Sequence, residues 1–99
     1  MDPLVIAASG MRSSEMRIAA SAHNVANLLT PSFRPLRVQQ SALEGGGSAA
    51  SVRRADMPED VDLLREFVEQ MQAKLQFQSS ARFFTAASET SGHLIDLLA

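Results

Sequence analysis

The sequence contains no cysteine, tryptophan or tyrosine, and its five aromatic residues are all phenylalanine. The absence of cysteine excludes a disulfide framework and a cysteine-based metal site. Because aromatics are few and alanine supplies much of the apolar content, a chain of 99 residues can bury only a thin core. We therefore expect long helices that pack against something else.

Long apolar runs and a strong charge of either sign are also missing. No apolar stretch approaches the roughly 20 residues that span a bilayer, so we expect no direct membrane insertion. The apolar residues 4–8 follow Asp2, at the place where a secretory signal would carry a basic region. The net charge of −2 gives no reason to expect nucleic acid as a partner.

Residues 1–29 predict an N-terminal helix. Asp2 suits the N-cap and Pro3 the first helical position, where its missing N–H costs nothing. We expect the helix to end near residues 27–29, because Pro31 disfavours the helical conformation of the residue before it. Apolar residues recur in steps of three and four with one interruption at Glu15, as in a heptad-like seam. The stripe consists of Leu4, Ala8, Met11, Ile18, Ala22, Val25 and Leu29.

Residues 30–57 predict an irregular connector rich in proline, glycine and serine. Pro31, Pro35 and the run Gly45-Gly46-Gly47 interrupt any sustained period, and we interpret the glycine run as a flexible linker. A short extended or helical piece around Leu36 and Val38 is the one regular feature that the pattern allows.

Residues 58–99 predict a second helix that opens at Pro58 and carries acidic residues in its first turn. Its apolar stripe begins with Val61, Leu64, Val68, Met71 and Leu75. The stripe then shifts around the helix to Phe77, Ala81, Phe84, Ser88, Ile95 and Leu98. A helix with apolar groups on more than one face must bury more than one face. The shorter first helix cannot cover a length of about 60 Å, so other chains would have to contribute.

The fold class predicted from these segments is all-α. Two long antiparallel helices pair as a coiled coil and are joined by the irregular connector. The residues predicted for helix pairing and assembly are Leu4, Met11, Ile18, Ala22, Val25, Leu64, Val68, Met71, Leu75 and Phe84.

No group of residues predicts catalysis, a cofactor or a metal. His23 and His93 lie on separate predicted helices, without the spacing of a zinc site, and we interpret them as solvated or helix-packed. Residues 45–47 lack the Lys-Ser/Thr of a phosphate-binding loop, and no nucleophile-elbow pattern occurs. The acidic residues of segment 56–69 lack the spacing of an EF-hand and suit a solvated helix start. We expect a protein that is not an enzyme.

Asn24 and Asn27 lie three residues apart at the end of the first helix. Asparagine tolerates a left-handed backbone and bonds the loosened terminal carbonyls, so both residues suit a helix end. Amides at this spacing can also face a neighbouring chain and form hydrogen bonds with it. The sequence leaves both interpretations open.

With these asparagines the chain resembles the flagellar basal-body rod and hook protein family. Proteins of that family begin with a long helix that often carries an early Gly-Met. The helix ends in a small residue followed by Asn, an aliphatic residue, Ala and Asn. The sequence Thr-Pro-Gly-aromatic comes after it. The matching positions are Gly10, Met11, Asn24, Ala26, Asn27, Thr30, Pro31 and Phe33. Ser32 replaces the usual Gly, and His23 replaces the usual small residue. Residues 61–68 and 94–98 resemble the family's terminal helix, although Ser80 stands where Asn is usual.

The resemblance implies a structural subunit of the flagellar rod, similar in size to the proximal rod proteins. Such subunits polymerise through paired terminal helices into the axial drive-shaft tube of the basal body, which spans the periplasm. The implied partners are copies of the same chain, other rod proteins and the flagellar type III export apparatus, which exports subunits without signal-peptide cleavage. An alternative from another class is a cytoplasmic coiled-coil adaptor or flagellar export chaperone that holds a partner helix.

Overall fold

The computed structural model describes residues 2–98 and contains two helices with a β-hairpin between them. Helix α1 spans Pro3–Ala26, strand β1 Leu36–Ala42, strand β2 Ser48–Arg54 and helix α2 Leu63–Leu98. The prediction of an all-α fold is therefore wrong, because the predicted irregular connector forms a two-stranded antiparallel sheet. The predicted antiparallel pairing of two long helices is correct.

The start of α1 follows the sequence closely. The carboxylate Oδ1 of Asp2 accepts a hydrogen bond of 2.8 Å from the Leu4 N–H, and Pro3 occupies the first turn. The helix ends at Ala26, and Asn27 forms its C-cap. The predicted N-cap is confirmed, and the predicted end is correct within one residue.

The glycine run forms the turn of the β-hairpin instead of a flexible linker. The strands pair from Leu36 opposite Arg54 to Ala42 opposite Ser48. Gly45, Gly46 and Gly47 adopt φ of 85°, 104° and 95°, a region that residues with a Cβ rarely enter. The turn is closed by the Leu43 N–H, which donates to the Gly47 carbonyl at 3.0 Å.

Helix α1 provides the surface on which the hairpin lies. The Ser48 N–H donates to Ser9 Oγ at 3.0 Å, and the hydroxyls of Ser48 and Ser13 lie 3.1 Å apart. Along β2, Ser48 and Ala50 are half-buried, whereas Ala49 is exposed. An isolated two-stranded hairpin has only marginal stability in water. Contact with α1 therefore determines whether these strands, whose side chains are mostly polar or small, form.

Helix α2 begins five residues later than predicted, at Leu63 instead of Pro58. Asp62 supplies the N-cap, since its Oδ1 accepts from the Arg65 N–H at 3.2 Å. Residues 58–62 have no regular secondary structure, and the Glu59 N–H donates to the Phe33 carbonyl at 3.1 Å.

The molecule is elongated, with extents of 62 × 23 × 15 Å. Its radius of gyration is 17.2 Å, compared with about 12.6 Å for a compact chain of this length. The accessible surface of 6807 Å² also exceeds the roughly 5500 Å² that a compact protein of this size exposes. The expected thin core is confirmed, because the buried apolar residues among residues 2–98 are Ala7, Ala20, Ala73 and Pro35, none of them large.

Candidate assembly surface

The seam between α1 and α2 is built from small and polar side chains. The residues of α1 that line it recur in alternate steps of three and four, as in a heptad repeat. They are Ala7, Gly10, Ser14, Arg17, Ser21 and Asn24. The facing residues of α2 follow the same steps and are Glu66, Glu69, Ala73, Gln76 and Ser80. Sequence reasoning missed this seam because it searched for large apolar residues.

Gly10 lies where the two helices approach closely. A Cβ placed on Gly10 would lie 2.4 Å from Ser80 Oγ and 3.3 Å from Ser80 Cβ. The amide of Gln76 donates to the Gly10 carbonyl at 3.1 Å. A Cβ at residue 10 would therefore require Ser80 to move or the helices to separate.

Arg17 connects both helices and the hairpin. Its Nε donates to Glu69 Oε1 at 2.6 Å, and its Nη1 donates to the side-chain carbonyls of Gln76 at 2.8 Å and Gln40 at 3.2 Å. Nη2 donates to Gln72 at 3.3 Å. The guanidinium donates hydrogen bonds to several acceptors at once. Arginine can do so better than lysine because its planar group holds five N–H donors in fixed directions.

Asn24 attaches the start of β1 to both helices. Its Oδ1 accepts from the Leu36 N–H at 2.7 Å, while its Nδ2 donates to the Leu36 carbonyl at 2.9 Å. The same Nδ2 donates to Glu66 Oε1 at 3.0 Å. Asn24 is 1% exposed, so these three bonds satisfy a buried amide. Its polar groups bond within the chain.

Glu66 is the acidic partner of this cluster and is itself buried. Its Oε2 lies 3.8 Å from Arg37 Nη1, and its backbone carbonyl accepts from Ser21 Oγ at 3.1 Å. Arg37 also donates to Glu59 at 2.7 Å. One ion-pair network therefore connects α2, the start of β1 and the segment before α2.

Asn27 has a different role from Asn24, at the helix end. Its Nδ2 donates to the His23 carbonyl at 2.9 Å, and its Oδ1 accepts from Thr30 Oγ1 at 3.0 Å. The chain then turns at Pro31-Ser32, and Ser32 has a positive φ of 56°. Proline followed by a residue with positive φ is the pattern of a type II turn, which favours glycine at the second of these positions. The departure from the family motif thus lies at a strained position.

Phe33 follows this turn and packs between two side chains. Its ring centroid lies 5.7 Å from that of His23, and the Arg54 guanidinium carbon lies 6.0 Å above the ring. His23 belongs to the last turn of α1 and Arg54 to the end of β2. The aromatic ring therefore connects the C-terminus of α1 to the base of the hairpin.

The apolar residues predicted to pair the helices face outward instead. The exposed fraction is 73% for Leu64, 54% for Met71 and 63% for Leu75. The other exposed members are Ala22, Val25, Val68 and Phe84, while Leu4, Met11 and Ile18 are half-buried. Within the single chain, polar and small side chains of the seam connect the two helices, and the exposed members of the predicted set do not. Its predicted role in assembly between chains stays a prediction.

Two of the predicted interface residues come together on one side of the helix pair. Ile18 of α1 and Met71 of α2 line an open groove. Phe67, Gln70 and Lys74 complete its lining. The groove is mainly apolar, and none of the hydrogen bonds within residues 2–98 involves the Lys74 ammonium.

Within residues 2–98 no three histidine or carboxylate side chains are grouped as metal ligands. Neither α1 nor α2, as far as the structure describes them, combines the length and the apolar character needed to cross a membrane. Comparison with models of known protein families gives no match, and comparison with curated proteins gives none.

Proposed function

We propose that this protein is a structural subunit of the bacterial flagellar basal-body rod. It polymerises through the outer faces of its paired helices, together with copies of itself and other rod proteins. The chain reaches the rod through the flagellar type III export apparatus.

The observation that carries this proposal is the inverted distribution of side chains on the two helices. Small and polar residues fill the seam inside the chain, and large apolar residues such as Leu64 and Leu75 lie on the surface. Burying a large apolar side chain contributes about 1.5–3 kcal/mol, and this single chain does not obtain that contribution from them. A contiguous exposed apolar surface on a helix pair marks a site of protein association.

The residues that match the flagellar motif support the same proposal, because they determine the path of the chain at the end of α1. Asn24 holds β1 against the helix pair, and Asn27 ends α1. Thr30 then bonds Asn27, and Phe33 packs against His23 beside the end of α1. The helices remain available for stacking along their length while the hairpin lies to one side.

Localisation in the cell tests the proposal directly. A short epitope inserted beside the exposed Ala49 should label the rod of isolated basal bodies in immunoelectron microscopy. The same epitope in a Leu64→Asp background is the control, and we expect its label to be lost from the rod. Unlabelled basal bodies in the first strain, with the protein present in the cytoplasm, would contradict the proposal.

The behaviour of the purified chain separates this function from that of an export chaperone. A chaperone should form a stable helical dimer alone, whereas a rod subunit should sediment as a monomer in which part of α2 gains helix only on polymerising. Circular dichroism followed over a concentration series, with sedimentation velocity, measures both properties.

A further inference from the structure

Each edge of the β-hairpin is closed at one point by a side chain of α1. At the base of β1, the amide of Asn24 bonds both the N–H and the carbonyl of Leu36. Near the tip of β2, the Ser48 N–H donates to Ser9 Oγ at 3.0 Å. In both places a polar side chain bonds backbone groups that would otherwise pair with a further strand.

The remainder of the outer edge of β2 is open. The Ala55 N–H donates to the Pro35 carbonyl across the hairpin, so alternate residues of β2 counted from Ala55 point toward β1. The N–H and carbonyl groups of Ala50, Val52 and Arg54 therefore point away from β1. No hydrogen bond among residues 2–98 involves these backbone groups, and Val52 is 44% exposed. A strand edge of this kind is a template for pairing with another extended chain.

A stripe of α1 runs beside this open edge. Its residues follow one another in steps of three and four and are Ser9, Arg12, Met16, Ala19 and His23. At the tip of the hairpin, Ser9 bonds Ser48 of β2. At the base, the ring of Phe33 contacts both His23 and the Arg54 guanidinium. We name residues 50–54 together with this stripe the β2 edge site.

The β2 edge site is cationic. Arg12, Arg53 and Arg54 are all exposed, and Arg12 and Arg54 form no ion pair among residues 2–98. Arg53 lies 3.9 Å from the exposed carboxylate of Asp56, and Glu15 forms no ion pair with Arg12. Successive side chains of a strand point to opposite faces, so Arg53 and Arg54 place positive charge on both faces of β2.

We infer that the β2 edge site binds an extended acidic segment of a partner protein, which joins the hairpin as a third strand. Backbone bonds to Ala50, Val52 and Arg54 provide affinity, as in other cases of strand addition. Carboxylates of the segment pair with Arg12 and Arg54 on the side of α1 and with Arg53 on the outer side. A second copy of β2 would bring the same arginines, and like charges across a contact are unfavourable. The charge therefore selects an acidic partner.

This inference goes beyond the proposed function and does not depend on it. The β2 edge site contains no residue of α2 and none of the apolar residues predicted for assembly. Binding of the acidic segment can therefore be removed by substitutions that leave the outer face of α2 unchanged.

Peptide binding to the full chain tests the inference. The probe is a short fluorescein-labelled peptide that alternates glutamate and valine, titrated with the protein and followed by fluorescence anisotropy. We expect saturable binding that weakens as salt is added, because salt screens exposed charges. A peptide with lysine in place of glutamate, and the acidic peptide with every backbone nitrogen methylated, should each bind about ten-fold more weakly or worse.

Substitutions in the protein locate the site. Val52→Pro removes an outward N–H without breaking a bond to β1, and it should weaken binding about ten-fold. Ala42→Pro is the matched control, since the Ala42 N–H points outward from the other strand, and it should preserve binding. Arg53→Glu should also weaken binding about ten-fold. Arg65→Glu makes the same charge change on the exposed surface of α2 and should preserve binding.

Each contrary result overturns a stated part of the inference. Equal affinity for the acidic and the lysine peptide would refute selection by charge, and full affinity for the methylated peptide would refute strand addition. Full affinity in both Val52→Pro and Arg53→Glu would place the binding elsewhere. Self-association that Val52→Pro abolishes, without peptide binding, would make a second copy of β2 the occupant. If Val52→Pro disrupts the hairpin, Arg53→Glu and its control decide, because the Arg53 side chain is 59% exposed.

Discussion

The side-chain amide of Asn24 takes the place of a neighbouring strand at the start of β1. It bonds both the N–H and the carbonyl of Leu36, as a paired strand would, and it also bonds the buried Glu66. Leaving a buried polar group without its partner costs about 1–3 kcal/mol. A large share of the tertiary stability of this small chain therefore depends on single polar side chains.

Asn24→Asp should be strongly destabilising. The Nδ2 donor of Asn24, which bonds Glu66 Oε1 and the Leu36 carbonyl, would become a carboxylate oxygen. This oxygen and Glu66 Oε1, both acceptors, would then lie about as close as the present bond of 3.0 Å. We expect a loss of about 3 kcal/mol or more in the free energy of unfolding, measured by urea denaturation.

Two further variants make that measurement specific. Adding Glu66→Gln should recover part of the loss, because the glutamine amide can donate to the new carboxylate. Asn27→Ala, at the more accessible C-cap, should cost only about 1 kcal/mol. Equal losses for Asn24→Asp and Asn27→Ala would contradict the tertiary role assigned to Asn24.

Ser32→Gly should stabilise the chain by about 0.5–1 kcal/mol, because the φ of 56° at Ser32 costs a residue with a Cβ energy and glycine adopts it freely. Ser41→Gly is the matched control, since Ser41 lies in the extended strand β1 and the change there should destabilise. The urea midpoints of the two variants should move in opposite directions, and a downward shift for Ser32→Gly would refute the argument.

At the scale of elements, α1 is the helix to which the other elements attach. One face meets α2 through Gly10 and Arg17, and another meets the hairpin through Ser9 and Ser13. Small side chains on both faces allow close approach. The hairpin strands carry little apolar surface of their own, and therefore their order depends on α1.

Gly10→Ala should destabilise the helix pair although alanine is the better helix former. In an exposed helix the change would gain about 1 kcal/mol. Here the new Cβ would lie 2.4 Å from Ser80 Oγ, so the helices must separate or the serine must move. The helical signal should consequently melt at lower temperature, and adding Ser80→Ala should reduce the loss.

Gly92→Ala is the control for this prediction. Nothing lies within 4 Å of a Cβ placed on Gly92, so the intrinsic preference of alanine should act alone. We expect circular dichroism to show increased helix content in this variant. A stabilising effect of both substitutions would indicate that the helix spacing at Gly10 is looser than the structure shows.

At the scale of the whole molecule, the proposed function requires stability and assembly to depend on different sets of residues. The polar seam holds the single chain, and the large apolar side chains of α2 lie exposed on its surface. Substitutions of these exposed side chains should therefore separate the two properties.

Leu64→Asp should abolish assembly and leave the single chain folded. Leu64 is 73% exposed, so the substitution should change the free energy of unfolding of the monomer by no more than about 0.5 kcal/mol. Ala49→Asp, on the exposed side of the hairpin, should preserve both properties. Sedimentation velocity measures assembly and urea denaturation measures stability. Loss of monomer stability in Leu64→Asp would show that this residue belongs to the chain's own core.

The limits of sequence-based prediction are clearest at the hairpin and at the seam. Periodicity identified both helices, and Asp2 and Pro3 located the start of α1. It missed the hairpin because β1 and β2 consist mainly of polar and small residues without alternation. Periodicity selected the wrong seam, because large apolar residues usually lie on the inside of a helix pair. In this chain Ala7, Ser14 and Ser21 lie there instead.

The sequence by itself determined the two helices, the N-cap of α1 and the break at Pro31, because these depend on interactions between residues close in the chain. The tertiary structure alone decided which helix faces meet, that residues 36–54 form a hairpin, and that Asn24 bonds Leu36 and Glu66. Those outcomes depend on contacts between residues 12 to 66 positions apart, such as the bond from Gln76 to Gly10. Local patterns carry no record of such contacts, since a serine suits a buried seam or a solvated face equally well until its neighbour is in place.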